Sequence, residues 1–489
     1  MRTFSPLFAF LLAAGCATTE PATPAPTGDV PSVPTATPRA SAPDVPPPMR
    51  DDGLDRMPAE EPAGIRSGPM LGYALQTEQA LWLQTTGPAD VQIRYWPEGR
   101  EADARTSRPV RADHETGYTA HVTLSLLEEG TTYEYRVLLN GEEHARPYAT
   151  TFTTQPLWQW RSDPPAFTIA FGSCYYANDT PDDRPGRPYG GPMDVFGALD
   201  RADPDVMLWL GDNVYFREPD FGSVAARDGR HAEAREAPEL QPFLTRAAHL
   251  ATWDDHDYGP NNADRSLVHK GSALELFQRY WANPTYGLPG VPGVFTQYSY
   301  GDVDVFLLDD RYHRAPNDAP DDSLKTMWGD EQFTWLLDAL TFSQAPFKLV
   351  ANGGQILNPF ANAEVLSRYP SEQRRLYREL ARRRIDGVVF LSGDRHHGEL
   401  MRLERDGLYP LYDVTSSPLT AGTGSARGEE DNPLRVPGTL VTERNFGTLA
   451  FSGTRGDRTM TVRLHSATGE PLWTQTVHQD ELSTPLPSR

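Results

Sequence analysis

The sequence predicts an α/β protein with a small all-β module in front of it. Three observations carry that expectation. From about residue 165, short apolar runs of strand length alternate with longer runs of helical period. Before that, residues 66–156 consist of short alternating runs divided by turn signals, the pattern of a small β-sandwich. Several of the later apolar runs also end directly in carboxylates, histidine or cysteine. In an open α/β sheet, that edge is where ligands bind.

The first residues read MRTFSPLFAFLLAAGC. Arg2 supplies a positive start, and the apolar stretch Phe4 to Ala14 is too short to span a bilayer, so residues 1–16 read as a signal peptide. Ala13, Ala14 and Gly15 lead into Cys16, a run that resembles a bacterial lipobox with Cys16 as the lipidated residue, although Ala13 stands where Leu is usual. Residues 17–64 are rich in Pro, Ala, Thr and Ser and cannot bury enough apolar surface to offset their ordering entropy. They read as a disordered linker, spanning roughly 40 Å as a flexible coil and about 150 Å if fully extended. An exported lipoprotein, tethered on the periplasmic or cell-surface side, is therefore expected.

Residues 65–156 hold the runs ALWLQTT, DVQIRYW, TAHVTLSLL and TTYEYRVLLNG, with Asn140-Gly141 as one turn. No chemistry is visible in them. The α/β part spans about 160–482. Its strands read FTIAFGS, VMLWLG, HLATW, VFLLD, FKLVAN and GVVFLSG, and its helices SALELFQRYWAN, DEQFTWLLDALTF and SEQRRLYRELARRR. Strands return after about 436 as TLVTERN, TLAFSGT, TMTVRLHS and PLWTQTVH. A polar insertion at 217–240 reads either as a cover over a site or as plain surface.

The net charge of −22 argues against a nucleic-acid partner, which needs clustered basic surface. It leaves a phosphate substrate open, because bound metal ions can supply local positive charge. Only Cys16 and Cys174 are present, and no disulfide framework follows.

FTIAFGS runs into Cys174-Tyr175-Tyr176, VMLWLG into Asp212-Asn213, and HLATW into Asp254-Asp255-His256-Asp257. VFLLD continues to Asp310-Arg311, and GVVFLSG into Asp394-Arg395-His396-His397. These are metal-ligand types, and two metals about 3.5–4 Å apart can clamp an in-line phosphoryl displacement. Taken singly, a Gly-Asp pair is usually a turn and a lone Cys a small buried hydrophobe. Five such pieces at strand ends, in order along the chain, make the bland reading the weaker one.

In this order, FGSCYY, LGDNVYF, TWDDHDYGPNN, LLDDRYHR and LSGDRHH resemble the PhoD-like branch of the calcineurin-type metallophosphoesterases, over about residues 68–480. The front module looks like a fibronectin type III-like domain. The resemblance implies a four-layer αββα sandwich and an alkaline phosphatase D-like hydrolase of phosphate mono- or diesters. It also implies a ferric ion with calcium ions, other divalent metals being alternatives. Carried over by position, the metal ligands would be Cys174, Tyr176, Asp212, Asp255, Asn262, Asp394 and His396. Tyr175, Asn261 and His397 stand as alternatives to their neighbours. His256 would hydrogen-bond the phosphate or the leaving oxygen, and Arg311 would meet the phosphate or pair with Asp309. The expected partners are small phosphate esters and a membrane reached through Cys16, and the chain is expected to be a monomer. The rival readings are a phospholipase-type phosphodiesterase and an inactive binding lipoprotein. A serine hydrolase is disfavoured because no Gly-x-Ser-x-Gly elbow occurs.

Overall fold

The structure is a computed structural model that describes residues 62–179 and 181–485. Cys16, the signal peptide 1–16 and linker residues 17–61 lie outside the described residues.

The front module has nine strands. They are β1 (Ile65–Ala74), β2 (Glu78–Thr85), β3 (Ala89–Pro97), β4 (Arg105–Thr106), β5 (Val110–Ala112), β6 (Thr119–Ser125), β7 (Thr132–Leu139), β8 (Glu142–His144) and β9 (Thr151–Thr153). One sheet runs β1-β2-β6 and the other β4-β3-β7-β8, with β5 on β3 and β9 on β7. Alternation does the work here: β7 buries every second residue, and Tyr133, Tyr135, Val137 and Leu139 meet Leu81, Val91, Ile93 and Val122 in one core. The module is bonded to the α/β part. Ser67 Oγ donates to the Arg235 carbonyl at 2.8 Å, and Trp82 Nε1 to the Arg279 carbonyl at 2.9 Å.

The α/β part holds two six-stranded sheets. The first runs β12-β11-β10-β19-β20-β21: Ala248–Thr252, Val206–Leu210, Phe167–Gly172, Asn445–Thr454, Asp457–Ser466 and Pro471–His478. The second runs β13-β14-β15-β16-β18-β17: Thr296–Tyr300, Val303–Leu307, Phe347–Ala351, Val388–Ser392, Leu411–Thr415 and Glu399–Leu403. β10, β11 and β12 are parallel, as are β14, β15, β16 and β18.

Residues of the first sheet alternate between two cores. Ile169, Phe171 and Leu208 join Val305, Leu349 and Val389 of the second sheet. Ala170, Met207 and Trp209 point the other way, into a core shared with helices α1 (Asp194–Ala202), α2 (Val224–Arg235), α3 (Leu240–Leu244) and α5 (Lys270–Tyr280). Helices α6 (Asp330–Phe342) and α7 (Pro370–Arg383) pack on the second sheet through Leu336, Leu376 and Leu380. The polar insertion at 217–240 contains α2, whose N-cap Ser223 accepts from the Ala226 N–H. The run TLVTERN is not a strand. Val441 makes one bridge to Gly398, and β19 begins at Asn445.

Candidate metal centre

The parallel strands deliver their carboxyl ends to one region. Cys174 follows β10, Asp212 follows β11, Asp394 follows β16, and the one-turn helix α4 (Asp255–Tyr258) follows β12. Cys174, Asp212, Asn262, Asp394 and His396 all have left-handed backbone, with φ of 61°, 52°, 61°, 65° and 55°. Non-glycine residues in that region cost roughly 1–3 kcal/mol each and cluster at functional sites. Three of them, Cys174, Asp212 and Asp394, stand within two residues of the end of a strand.

Asp212 is the hinge of the arrangement. Its Oδ2 lies 3.6 Å from Cys174 Sγ and accepts from the Tyr215 hydroxyl at 2.9 Å, while its Oδ1 accepts from the His256 N–H at 3.2 Å. Cys174, Asp212 and His396 offer ligand atoms within 4.8 Å of one another, and so do Asp212, Asp255 and His256. A third such group, Asp254, Asp255 and Glu364, adjoins them through Asp255.

The electrostatics fit cations. Burial, then Cys174, Asp255, Asp257 and Asp394, push Asp212 well above the carboxylate range. Burial raises Asp394 to about 6 with help from Glu364 and Asp255, against Arg395 and Arg311. Burial lifts the Cys174 thiol to about 11. Several acidic groups thus crowd one space and raise one another, and bound cations would relieve that crowding. Asp255 departs from the trend. Burial raises it, but His256, Arg311 and the Asn262 N–H (2.6 Å from Oδ2) outweigh that and hold it at about 2. Burial lowers His396 and His256, which keeps their imidazoles neutral and ligand-competent. His396 Nδ1 bonds the Gly422 carbonyl, which assigns the proton there and leaves Nε2 facing Tyr215 at 3.2 Å.

Two residues expected at the centre are elsewhere. The Tyr176 hydroxyl turns away and donates to Asp183 Oδ1 at 2.6 Å, with Arg217 stacked 4.0 Å from its ring. Its alternative Tyr175 is also away, donating to the Ala234 carbonyl. Arg311 is fully buried, with its guanidinium engaged by carboxylates. Its Nε donates to Asp254 Oδ1 at 2.6 Å and its Nη2 pairs with Glu364 Oε2 at 2.7 Å. Its partner is not Asp309, whose carboxylate accepts from Trp253 Nε1 and the Val294 N–H. His396 rather than His397 faces Cys174 and Asp212; His397 is buried 3.3 Å from Glu399. Asn262 is exposed and reaches Asp255 through its backbone N–H.

Tyr215 and Glu364 escaped the sequence reading. The signal for Tyr215 was present, three residues after Asp212 in GDNVYF, where one turn brings a phenol back over the carboxylate. Glu364 sits in an irregular loop with no local pattern.

Paired sheets with acidic, histidine and cysteine groups at their carboxyl edges define a mixed α/β fold of the kind seen in two solved phosphatase structures. One is titled structure of PhoD, with TM-score 0.68 and 18% identity over 85% of this chain and 88% of that one. The other is the purple acid phosphatase PPD1 from yellow lupin (Lupinus luteus) seeds, with TM-score 0.60 and 12% identity over 86% and 76%. The chain belongs to the PhoD-like phosphatase family, whose profile matches residues 169–462. Residues 62–157 match a domain of unknown function, DUF7800. Alkaline phosphatase D of Bacillus subtilis (strain 168) is 23% identical over 400 residues, or 71% of this chain, and the chain spans 65% of that protein's length.

Proposed function

We propose that the protein is a metal-dependent hydrolase of phosphate esters, alkaline phosphatase D-like, acting on monoesters or diesters. The observation that carries this reading is the sharing of Asp212 between two groups of potential ligands, each within 4.8 Å. Its two oxygens face different partners, the arrangement a bridging carboxylate needs.

Cys174, Tyr215, Asp212 and His396 would hold one ion, which fits the iron expected from the resemblance. Asp212, Asp255 and Asp394 would hold calcium or another divalent ion. Bound there, the metals would lower the pKa of water and draw charge from the phosphate oxygens. The chain's own residues do the rest. His256 lines the adjoining cleft, and its ring offers a hydrogen bond to the ester oxygen that departs. Arg311 holds Asp254 and Glu364 in place from behind.

The sequence motifs support three finer readings. The α/β part is a four-layer αββα sandwich over about 160–482. The front module, about 65–156, is fibronectin type III-like and positions the catalytic part. Residues 1–16 export the chain, Cys16 anchors it as a monomer to a membrane, and 17–64 is the spacer. Mass spectrometry of the full-length protein from membrane fractions tests the anchor, since an unmodified Cys16 would remove it.

The function is tested by assaying a chromogenic phosphomonoester and the matching diester with iron and calcium supplied, beside Asp394→Asn. Hydrolysis lost in that variant supports the reading, and the ratio of the two rates sets the ester class. A folded protein inert toward both would favour the inactive binding lipoprotein.

A further inference from the structure

A cleft of about 590 Å³ opens from Tyr215 and His256 outward, between the loop bearing Arg187 and Tyr189 and the loop bearing Phe221. That volume lies in the range of small-molecule sites and far exceeds what one phosphate group fills. Its inner wall is aromatic. Tyr189 packs edge-on against Tyr176 at 4.9 Å, and its hydroxyl lies 3.3 Å from His396 Nδ1, which ties the wall to the metal-ligating group. Gly422 leaves room for that ring, because a Cβ there would stand 2.7 Å from Tyr189 Cε2.

The charges along the cleft are unevenly matched. Asp183 is taken by Arg217 and Tyr176, and Asp182 by Arg230. Arg184 faces Glu218 at 3.9 Å. Arg187 has no hydrogen bond or ion pair among the described residues. A second guanidinium, that of Arg444, lies over Gly191 and, among the described residues, bonds the Thr420 and Ala421 carbonyls. Arg187 is close enough to act on Arg444 as a like charge. On a chain of net charge −22, the Arg187 guanidinium, without a carboxylate partner among the described residues, makes an anion-attracting spot on a cleft whose wall carries Tyr189.

We propose that this cleft is a subsite for the esterified part of the substrate, taking a flat ring against Tyr189 and a second anionic group at Arg187. The substrate class is thus a phosphate ester that carries an aromatic body and a further anion. The subsite rests on the hydrolase reading for its role in turnover, whereas its binding preference stands on the cleft itself.

The test is calorimetric binding to the purified full chain, run beside hydrolysis of bis(4-nitrophenyl) phosphate. The probes are ribose 5-phosphate, adenosine 5′-monophosphate and adenosine 3′,5′-bisphosphate. The bisphosphate is expected to bind roughly tenfold more tightly than the monophosphate, a difference of about 1.4 kcal/mol. Arg187→Ala should erase that ratio and Arg187→Lys keep part of it. Tyr189→Ala should erase the preference for adenosine monophosphate over ribose phosphate, about fivefold or more for a stacked base. Equal affinities for the two adenosine ligands in the unaltered protein, or a ratio that survives Arg187→Ala, would overturn the proposal. Binding with these ratios but no hydrolysis of that diester or of 4-nitrophenyl phosphate would remove the hydrolase reading and leave the subsite standing.

Discussion

The phenol oxygen of Tyr215 lies 2.9 Å from Asp212 Oδ2, inside the group formed with Cys174 and His396. Tyr176 points to Asp183 instead. Tyr215→Phe is therefore expected to weaken metal binding by roughly 10–100-fold, with a matching fall in kcat/KM. Tyr176→Phe should change both far less. Metal content after dialysis and the hydrolysis rate check this, and the reverse order of effects would return Tyr176 to the centre.

Arg311 acts through stability. It is fully buried between Asp254 and Glu364, so Arg311→Met strands two carboxylates in a dry interior. Removing one partner of a buried ion pair costs about 3–5 kcal/mol. A urea titration should show the loss. Unchanged stability with a raised KM would mean that Arg311 binds substrate after all.

Gly211 sets the aim of Asp212. Its φ is +88°, and an added Cβ would stand 2.6 Å from Asp254 Cβ and 2.8 Å from the Asp254 nitrogen. Gly211→Ala should destabilise the protein by roughly 1–3 kcal/mol through backbone strain alone. It should also lower activity by moving the carboxylate, and a fully active, equally stable variant would refute this.

Acid should loosen the segment behind His396. Burial raises Glu399, but His397 and Arg435 (2.5 Å) outweigh it and hold the carboxyl at about 2, below its ordinary 4.5. A depressed carboxylate pKa stabilises the fold above about pH 4.5, and that contribution is lost as pH falls toward 2. Glu399→Gln should flatten the stability profile in that window. An identical pH dependence in the variant would show that the ion pair contributes nothing.

Chelation should destabilise the protein as well as silence it. Without cations, Cys174, Asp212 and Asp394 converge with little counter-charge, so protons must replace metal. A ligand that binds only the folded state at 100 times its Kd adds about 2.7 kcal/mol. Thermal melts with and without chelator read this directly, and an unchanged midpoint would argue against a metal at these residues.

Much of the architecture was legible because its signals are local. Alternation marked strands such as Thr132–Leu139, apolar runs marked β10, β11 and β16, and each Gly-Asp exit sat next to its strand. Helix α2 was hidden because its polar face and low hydrophobicity give no clean period, although it buries Arg227, His231 and Arg235. The TLVTERN run has strand propensity but a single bridging partner, and pairing rather than propensity makes a strand.

By itself, the sequence determined which residue types stand at the strand ends, because a strand's hydrophobicity and the ligand that follows it are neighbours in the chain. It singled out Cys174, Tyr176, Asp212, Asp255, Asn262, Asp394 and His396 as candidates, of which Cys174, Asp212 and His396 come together in one group and Asp212 and Asp255 in another. Only the tertiary structure set the Tyr176 hydroxyl on Asp183 and the Tyr215 hydroxyl on Asp212, and buried Arg311 between Asp254 and Glu364. Those outcomes depend on side-chain direction after left-handed turns, and on partners such as Asp183, Asp254 and Glu364 that no local pattern marks out. Direction and distant partnership are properties of packing, which adjacency in sequence does not encode.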